Sequence, residues 1–372
     1  AAEPLPQQFL PLAAEWRIIM KNYMLYLFCA FVVSFVFSFA STPLVKKLAV
    51  KIGAIDVPKD NRRMHKKPIP RLGGLAIICG FLVAVLCFND GFSRQLLATL
   101  AGAAIIVIMG IVDDCKNLNA KLKFVIQIIA ALIVIYFGDI RINVFTHPNI
   151  FSDQEYWILP QWFSVLVTVI WIVFITNAVN FIDGLDGLAA GVSAIMSVSL
   201  VFISARMGEY SIALIGISLM GGCFGFLPFN FNPAKIFMGD TGSTFLGFML
   251  ATVSVQGVFK SYAVISFAVP LLILGLPLFD AAFAMLRRIL TGKSPMVADR
   301  GHLHHRLIDM GFSQKQTVFI LYAISGVLGI TAVLLAESGP LRALILVICV
   351  LILLLIGSPL GKGGLNDDDE NK

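Results

Sequence analysis

Apolar runs recur along almost the whole chain, at 23–45, 72–88, 95–112, 124–138, 158–179, 188–205, 211–228, 242–259, 262–286, 316–336 and 342–360. A bilayer core is crossed by about 20 apolar helical residues, and lipid solvates side chains that a water-exposed globule could not hide. The 372 residues are 58% hydrophobic and only 13% charged, which excludes an ordinary soluble fold. The reading is an all-α polytopic integral membrane protein with about 11 transmembrane helices, one for each run. Segment 124–138 is the shortest run, and Pro270 with Pro277 predicts a kinked or broken helix in 262–286.

Basic residues orient membrane proteins because they collect in cytoplasmic loops. The 46–71 loop carries nine of them, among them Lys46, Lys51, Lys67 and Arg71, and the 287–315 loop carries six, from Arg287 to Lys315. Placing both loops in the cytoplasm puts the N-terminus outside and the C-terminus inside. The net charge of +6 is then chiefly topological, with anionic lipid or substrate a second reason and nucleic acid not expected. Residues 1–22 stand apart as an extension, 23–360 form a single transmembrane domain, and 361–372 read as a disordered acidic tail. The six cysteines show no paired spacing, and five lie in apolar runs, which suits small buried hydrophobes better than disulfides or zinc. No repeat of fixed period appears, so an inverted-repeat transporter has no direct support.

Four polar segments interrupt the apolar pattern, at 113–123, 180–187, 229–241 and 287–315, all on the side assigned to the cytoplasm. Asp113 and Asp114 are adjacent carboxylates with Asn117, Lys121 and Lys123 close behind; a shared cation and a solvated helix cap both explain such a pair. NAVNFIDGLDG, Asn177 to Gly187, places two Asn and two Asp among glycines, more oxygen donors than a turn needs. FNFNPAKIFMGDTGS, Phe229 to Ser243, supplies Asn230, Lys235 and Asp240 before a helix start whose free N–H groups favour an anion, although it lacks the P-loop pattern. Its aromatics, Phe237 included, read as packing or as a stacking surface for a base. DRGHLHHRL, Asp299 to Leu307, holds three of the five histidines between Arg300 and Arg306; that spacing favours phosphate or a sugar pyrophosphate over zinc, with a basic interfacial loop as the plain alternative. Carboxylates and amides for Mg²⁺, and cations for phosphates, at the mouth of an apolar bundle compose a phosphoryl-transfer site with a lipid as one substrate.

These motifs, with PRLGG at 70–74, resemble the polyprenyl-phosphate N-acetylhexosamine-1-phosphate transferase family over about residues 23–360. The HxHH form of the last loop resembles the bacterial branch that transfers GlcNAc-1-phosphate from UDP-GlcNAc to undecaprenyl phosphate. The muramoyl-pentapeptide branch, with three consecutive His, is the alternative, and an ion-coupled transporter is the alternative of a different class. Many bacterial relatives carry a third acid where this chain has Asn117. The resemblance implies Mg²⁺ (with Mn²⁺ as a substitute) near Asp240 and Asn180, and Asp113 and Asp114 at the reacting phosphates. It implies Lys123 on the pyrophosphate and Asp183 as catalytic support. Asp186, Asn230 and Phe237 are implied to bind uridine, and Arg300, His302, His304 and His305 to line the sugar-phosphate side. The implied partners are UDP-GlcNAc, undecaprenyl phosphate and membrane lipids, with a homodimer admitted. The implied location is the bacterial cytoplasmic membrane with the site facing the cytoplasm, at the first membrane step of a cell-envelope polysaccharide such as teichoic acid, O-antigen or common antigen. The acids also separate transferase from transporter: all but Asp280 sit at span ends, whereas transporter acids lie near the midplane. A direct attack of lipid phosphate on the β-phosphorus is expected, and a covalent aspartyl-phosphate is its competitor.

Overall fold

The computed structural model describes residues 10–58, 67–146, 156–257, 268–290 and 302–337. Its helices in chain order are α1 (Leu10–Ile52), α2 (Gly74–Phe88), α3 (Arg94–Lys116), α4 (Ala120–Gly138), α5 (Gln161–Ile182), α6 (Leu188–Arg206), α7 (Tyr210–Asn230), α8 (Gly239–Gly257), α9 (Ala268–Ile273), α10 (Gly275–Leu290), α11 (Leu303–Asp309) and α12 (Gln314–Glu337). Two short antiparallel pairs lie in the connections: β1 (Ile55–Asp56) with β2 (Ile69–Pro70), and β3 (Val144–Thr146) with β4 (Tyr156–Ile158).

The bundle is that of a polytopic membrane protein. Among the described residues, seven helices are long and apolar enough to cross a bilayer, within α1, α3, α4, α5, α6, α7 and α12. Of the other expected spans, α2 has only 15 residues, and 342–360 lies outside the described residues. Run 262–286 divides into α9 and α10 around Leu274. Pro277 causes the break, because it has no N–H and its ring crowds the carbonyl of Ile273 four residues back.

Helix α8 explains how a polar sequence survives in such a bundle. Every residue from Thr241 to Gly257 is buried, and α2, α3, α5, α6 and α7 all touch it, so lipid never meets Thr244, Thr252 or Gln256. Trp171 of α5 donates its indole N–H to Ser254 (3.1 Å), and Gln256 donates to Thr99 of α3 (3.0 Å). Close approach is built on glycine: a Cβ on Gly74 would stand 2.1 Å from the Cα of Gly242, so α2 crosses α8 backbone to backbone. On the outside, α1 ties to α7 through Ser34 and Ser38, whose hydroxyls donate to the carbonyls of Ser218 (2.6 Å) and Gly222 (2.7 Å).

Several functional segments extend the helices instead of forming loops. Asp113 and Asp114 occupy the last turn of α3, Asn180 is still in α5, and Asp240 opens α8. The basic start of the 46–71 segment is likewise helical through Ile52, and β1 and β2 follow.

Candidate active site

A cavity of about 870 Å³ opens at one end of the bundle. Its wall takes Lys46 from α1, Arg71 after β2, Asp114 from α3, Asp183 to Asp186 after α5, Asn230 to Asp240 between α7 and α8, and His305 with Gln314 next to α12. Segments far apart in sequence therefore meet at one end, as the motif pattern required.

One wall is sewn together by backbone. Phe237 donates its N–H to Pro70 (2.8 Å), Gly73 donates to Phe237 (2.9 Å), and Gly74 donates to Met238 (2.8 Å). PRLGG is thus docked against the segment leading into α8, and Phe237 lines the cavity.

Asp114 anchors the floor. Its carboxylate is buried and accepts the N–H of Asp240 (3.0 Å), the N–H of Thr241 (3.0 Å) and the hydroxyl of Thr241 (2.6 Å). These amides belong to the first turn of α8, whose N–H groups lack helical partners and whose dipole favours an anion. The anion that the sequence expected at this helix start is thus, in the first instance, the protein's own carboxylate. Arg71 steadies the same region, donating to the backbone oxygen of Asp114 (3.1 Å) and to the side chain of Asn117 (2.8 Å). Asn117 closes α3 in the left-handed region (φ 51°), a conformation that Asn tolerates, and accepts from Arg71 as a neutral partner.

Beside it, the ammonium of Lys123 bridges Asp113 (3.1 Å) and Asp240 (2.8 Å). The second oxygen of Asp113 accepts the N–H of Leu118 (2.6 Å), which closes the turn between α3 and α4. Asn180 reaches Asp240 at 3.5 Å and accepts from Ser243 at 2.7 Å. Lys123, Asp240 and Asn180 therefore form one cluster contributed by α4, α8 and α5.

Across the cavity, Asp186 accepts from Asn232 (2.9 Å) and from the N–H of Ala234 (3.0 Å), while Asn232 also donates to Gln314 (2.7 Å). Asn230 is buried, accepts the N–H of Gly187 (3.1 Å) and donates to Ile236 (3.0 Å); its side chain shapes the loop, so a contact to a base would come from the loop it holds. Burial pushes the Asp183 carboxyl well above the usual carboxylate range, and the nearby Asp240, Asp114 and Asp186 add to the shift.

The histidines divide. His305 lines the cavity. His304 is buried, and a Cβ on Gly184 would lie 2.5 Å from its Nε2, so the first DG pair of the DGLDG run is cut to fit this ring. Burial, followed by the proximity of His305, pushes the His304 imidazole down to about 3. His302 stacks its ring parallel to His304 at 5.7 Å and pairs through Nδ1 with Asp280 (2.9 Å). Arg300 lies outside the described residues. Arg71, Thr241, Gln314 and Asp280 have no assigned role from sequence. Arg71 and Thr241 lie inside quoted motifs, Asp280 stands out as the one acid inside an apolar run, and Gln314 leaves no signal.

Among the described residues, no group of three or more His, Cys, Asp or Glu could by itself hold a metal ion. The donor set nonetheless suits Mg²⁺, a hard cation that takes one or two protein carboxylates and completes its shell with water and substrate phosphates.

Residues 96–258 match the model of glycosyl transferase family 4. A probable undecaprenyl-phosphate N-acetylglucosaminyl 1-phosphate transferase of Bacillus subtilis is 39% identical over 338 residues, covering 91% of this chain and 93% of that one. The chain belongs to glycosyl transferase family 4, the polyprenyl-phosphate N-acetylhexosamine-1-phosphate transferases. A decaprenyl-phosphate N-acetylglucosaminephosphotransferase of Mycobacterium tuberculosis is 35% identical over 79% of this family 4 chain and 78% of its own. An undecaprenyl-phosphate alpha-N-acetylglucosaminyl 1-phosphate transferase of Salmonella typhi is 28% identical, over 78% and 79% respectively. The family match contains Asp113, Asp114, Lys123, Asn180, Asp183, Asp186, Asn230, Phe237 and Asp240, whereas the histidine segment lies beyond it.

Proposed function

We propose that this protein transfers GlcNAc-1-phosphate from UDP-GlcNAc to undecaprenyl phosphate, giving undecaprenyl-diphosphate-GlcNAc and UMP. The observation that carries this reading is the convergence of Asp240, the Asp186 loop and His305 around one cavity at a bundle end, with Lys123 and Asp113 paired behind Asp240, in a chain whose relatives bear the names given above. The cavity has the size of a site for a drug-sized ligand and opens beside helices that face lipid, so a polar nucleotide sugar and a lipid phosphate can meet there.

In the proposed reaction an oxygen of the lipid phosphate forms a bond to the β-phosphorus of UDP-GlcNAc. The bond from that phosphorus to the bridging oxygen breaks, and UMP departs with the electron pair. A phosphate monoester with a second pKa near 6 is already largely dianionic at neutral pH, so no strong general base is required. Catalysis then rests on positioning and on charge. Asp113 and Asp240 hold the Lys123 ammonium where it can meet pyrophosphate oxygens, and Asp114 fixes Asp240 by binding the α8 amides. Asp240 and Asn180 would hold Mg²⁺, which when bound withdraws charge from the pyrophosphate and the departing UMP. His305, with Arg300, serves the sugar-phosphate side, and Phe237 with the Asp186 loop serves the uridine. A single displacement fits better than an aspartyl-phosphate, because Asp114 has its oxygens filled by three donors and Asp113 is engaged on both.

In the wider reading, the chain crosses the bacterial cytoplasmic membrane about 11 times, N-terminus outside and C-terminus inside, as a monomer or homodimer, and its product enters a cell-envelope polysaccharide. Purified protein given Mg²⁺, undecaprenyl phosphate and UDP-GlcNAc is expected to release UMP, and excess EDTA to stop it. UDP-MurNAc-pentapeptide is expected to give none; UMP release with that donor alone would move the protein to the peptidoglycan branch. Labelled UMP is expected not to exchange into UDP-GlcNAc without lipid acceptor, and such exchange would restore the covalent route.

A further inference from the structure

Asp280 is a buried acid in α10, outside the family-matched segment and outside the cavity wall. An uncompensated carboxylate in such a place would be strongly unfavourable. Both of its oxygens are used, and both on the histidine segment: Oδ2 meets His302 Nδ1 at 2.9 Å, and Oδ1 accepts the N–H of Leu303 at 2.7 Å. The first contact sets the tautomer of a histidine ring, since a carboxylate accepts and the facing nitrogen must carry the proton. The second supplies an acceptor to the first residue of α11, where helical N–H groups lack partners and where His302 itself makes no side-chain cap. One carboxylate thus fixes both the ring and the start of the short helix that carries His304 and His305.

The consequence reaches the cavity through packing. The His302 ring stacks parallel to His304, His304 packs against Gly184 in the DGLDG run, and His304 and His305 rings lie 4.3 Å apart. We infer that Asp280 is a positioning residue for the nucleotide-sugar side of the site: through His302 and α11 it sets the placement of His305 relative to the Asp183–Asp186 loop. This rests on the function proposed above and deepens it. The relation is that of a carboxylate orienting an imidazole from behind; behind metal-ligating histidines, loss of such a partner costs about 10–100-fold, and a loss of that order is expected for this ring.

The test is a double-mutant cycle on the full-length protein in detergent, with Asp280→Asn, His302→Gln and the double variant. Asp280→Asn keeps size and one acceptor while reversing the proton demand on His302. We expect kcat/KM for UDP-GlcNAc to fall about 10–100-fold, with part of the loss in KM for UDP-GlcNAc and none in KM for undecaprenyl phosphate. In the His302→Gln background the same change should cost less than about threefold, because the path through the ring is already cut. A merely structural role lowers the active fraction, so it would reduce kcat and leave both KM values alone; that result, or effects that multiply independently, overturns the inference. If Asp280→Asn loses its unfolding transition, Asp280→Glu, which keeps both acceptor oxygens on a longer arm, replaces it with the same coupling expected and the same overturning result. Inactivity of the unsubstituted protein with UDP-GlcNAc would instead overturn the function and this inference with it, whereas an active parent with an uncoupled cycle removes Asp280 alone.

Discussion

At the scale of single residues the site separates into groups that hold the protein and groups left for a ligand. Asp114 and Asn230 spend their hydrogen-bonding capacity on the fold, on backbone groups and, for Asp114, the Thr241 hydroxyl, whereas Lys123 and Asp240 are partners of each other, with Asp240 lining the cavity. His304 belongs to the first kind. Its depressed folded-state pKa, about 3 against 6.5 in an unfolded chain, means that the unfolded chain takes up a proton on acidification that the folded protein refuses. Its contribution to stability is complete above the unfolded pKa and is lost as pH falls through 6.5 toward the folded value. Between pH 7 and pH 5 that loss amounts to about 2 kcal/mol, by the 1.36 kcal/mol that each pKa unit represents. His304→Gln is expected to be less stable than the parent at pH 7, for lost packing, and to fall less between pH 7 and pH 5. Melting temperatures in detergent at the two pH values check this, and an equal acid sensitivity in both proteins would contradict a buried neutral His304.

At the scale of elements the amino-acid sequence shows that the motifs share one bundle end better than it shows where each helix starts and stops. Hydropathy placed the helices, and the motifs fell at one bundle end, because lipid imposes a length and polarity rule that each segment obeys on its own. It could not tell a lipid-facing helix from a central one, since the difference lies in neighbours: α8 reads as one more apolar run yet is enclosed along its length. Asp280 was legible as an odd acid and illegible as the partner of His302, 22 residues away, because no spacing rule links α10 to α11. PRLGG was legible as a motif, and its two glycines acquire a reason only in three dimensions. Gly74→Ala puts two tendencies in competition, a gain of about 0.8–1 kcal/mol in helix propensity and the overpacking cost of about 1–3 kcal/mol. The new methyl would meet the backbone of Gly242 at 2.1 and 2.2 Å, where no side chain can swing aside, so overpacking wins. The expected result is a lower melting temperature and reduced turnover, since Thr241 and Asp240 sit at the same crossing. Gly91→Ala, with nothing within 4 Å, is the control and should leave the melting temperature unchanged.

At the scale of the whole molecule, one polar end is set against a bundle otherwise faced with apolar side chains such as Phe28, Ile108, Ile129 and Ile330. The chain reaches the cavity end at the close of α1, α3, α5 and α7 and leaves it along α2, α4, α6, α8 and α12. Lys46, Lys67, Arg71 and Lys235 line the cavity at this end, and Arg94 and Arg206 mark helix ends that face away from it. Basic residues near span ends are retained on the cytoplasmic side, so the basic and catalytic ends should coincide there. UDP-GlcNAc is too polar to cross a bilayer unaided, which turns orientation into a measurable rate. In sealed inverted vesicles, whose cytoplasmic face is outward, added UDP-GlcNAc should release UMP at once. In sealed right-side-out vesicles the same activity should stay latent until detergent opens them. Immediate activity in the right-side-out vesicles and latency in the inverted ones would reverse the orientation, and the basic residues around the cavity would then be explained by the anionic substrate alone.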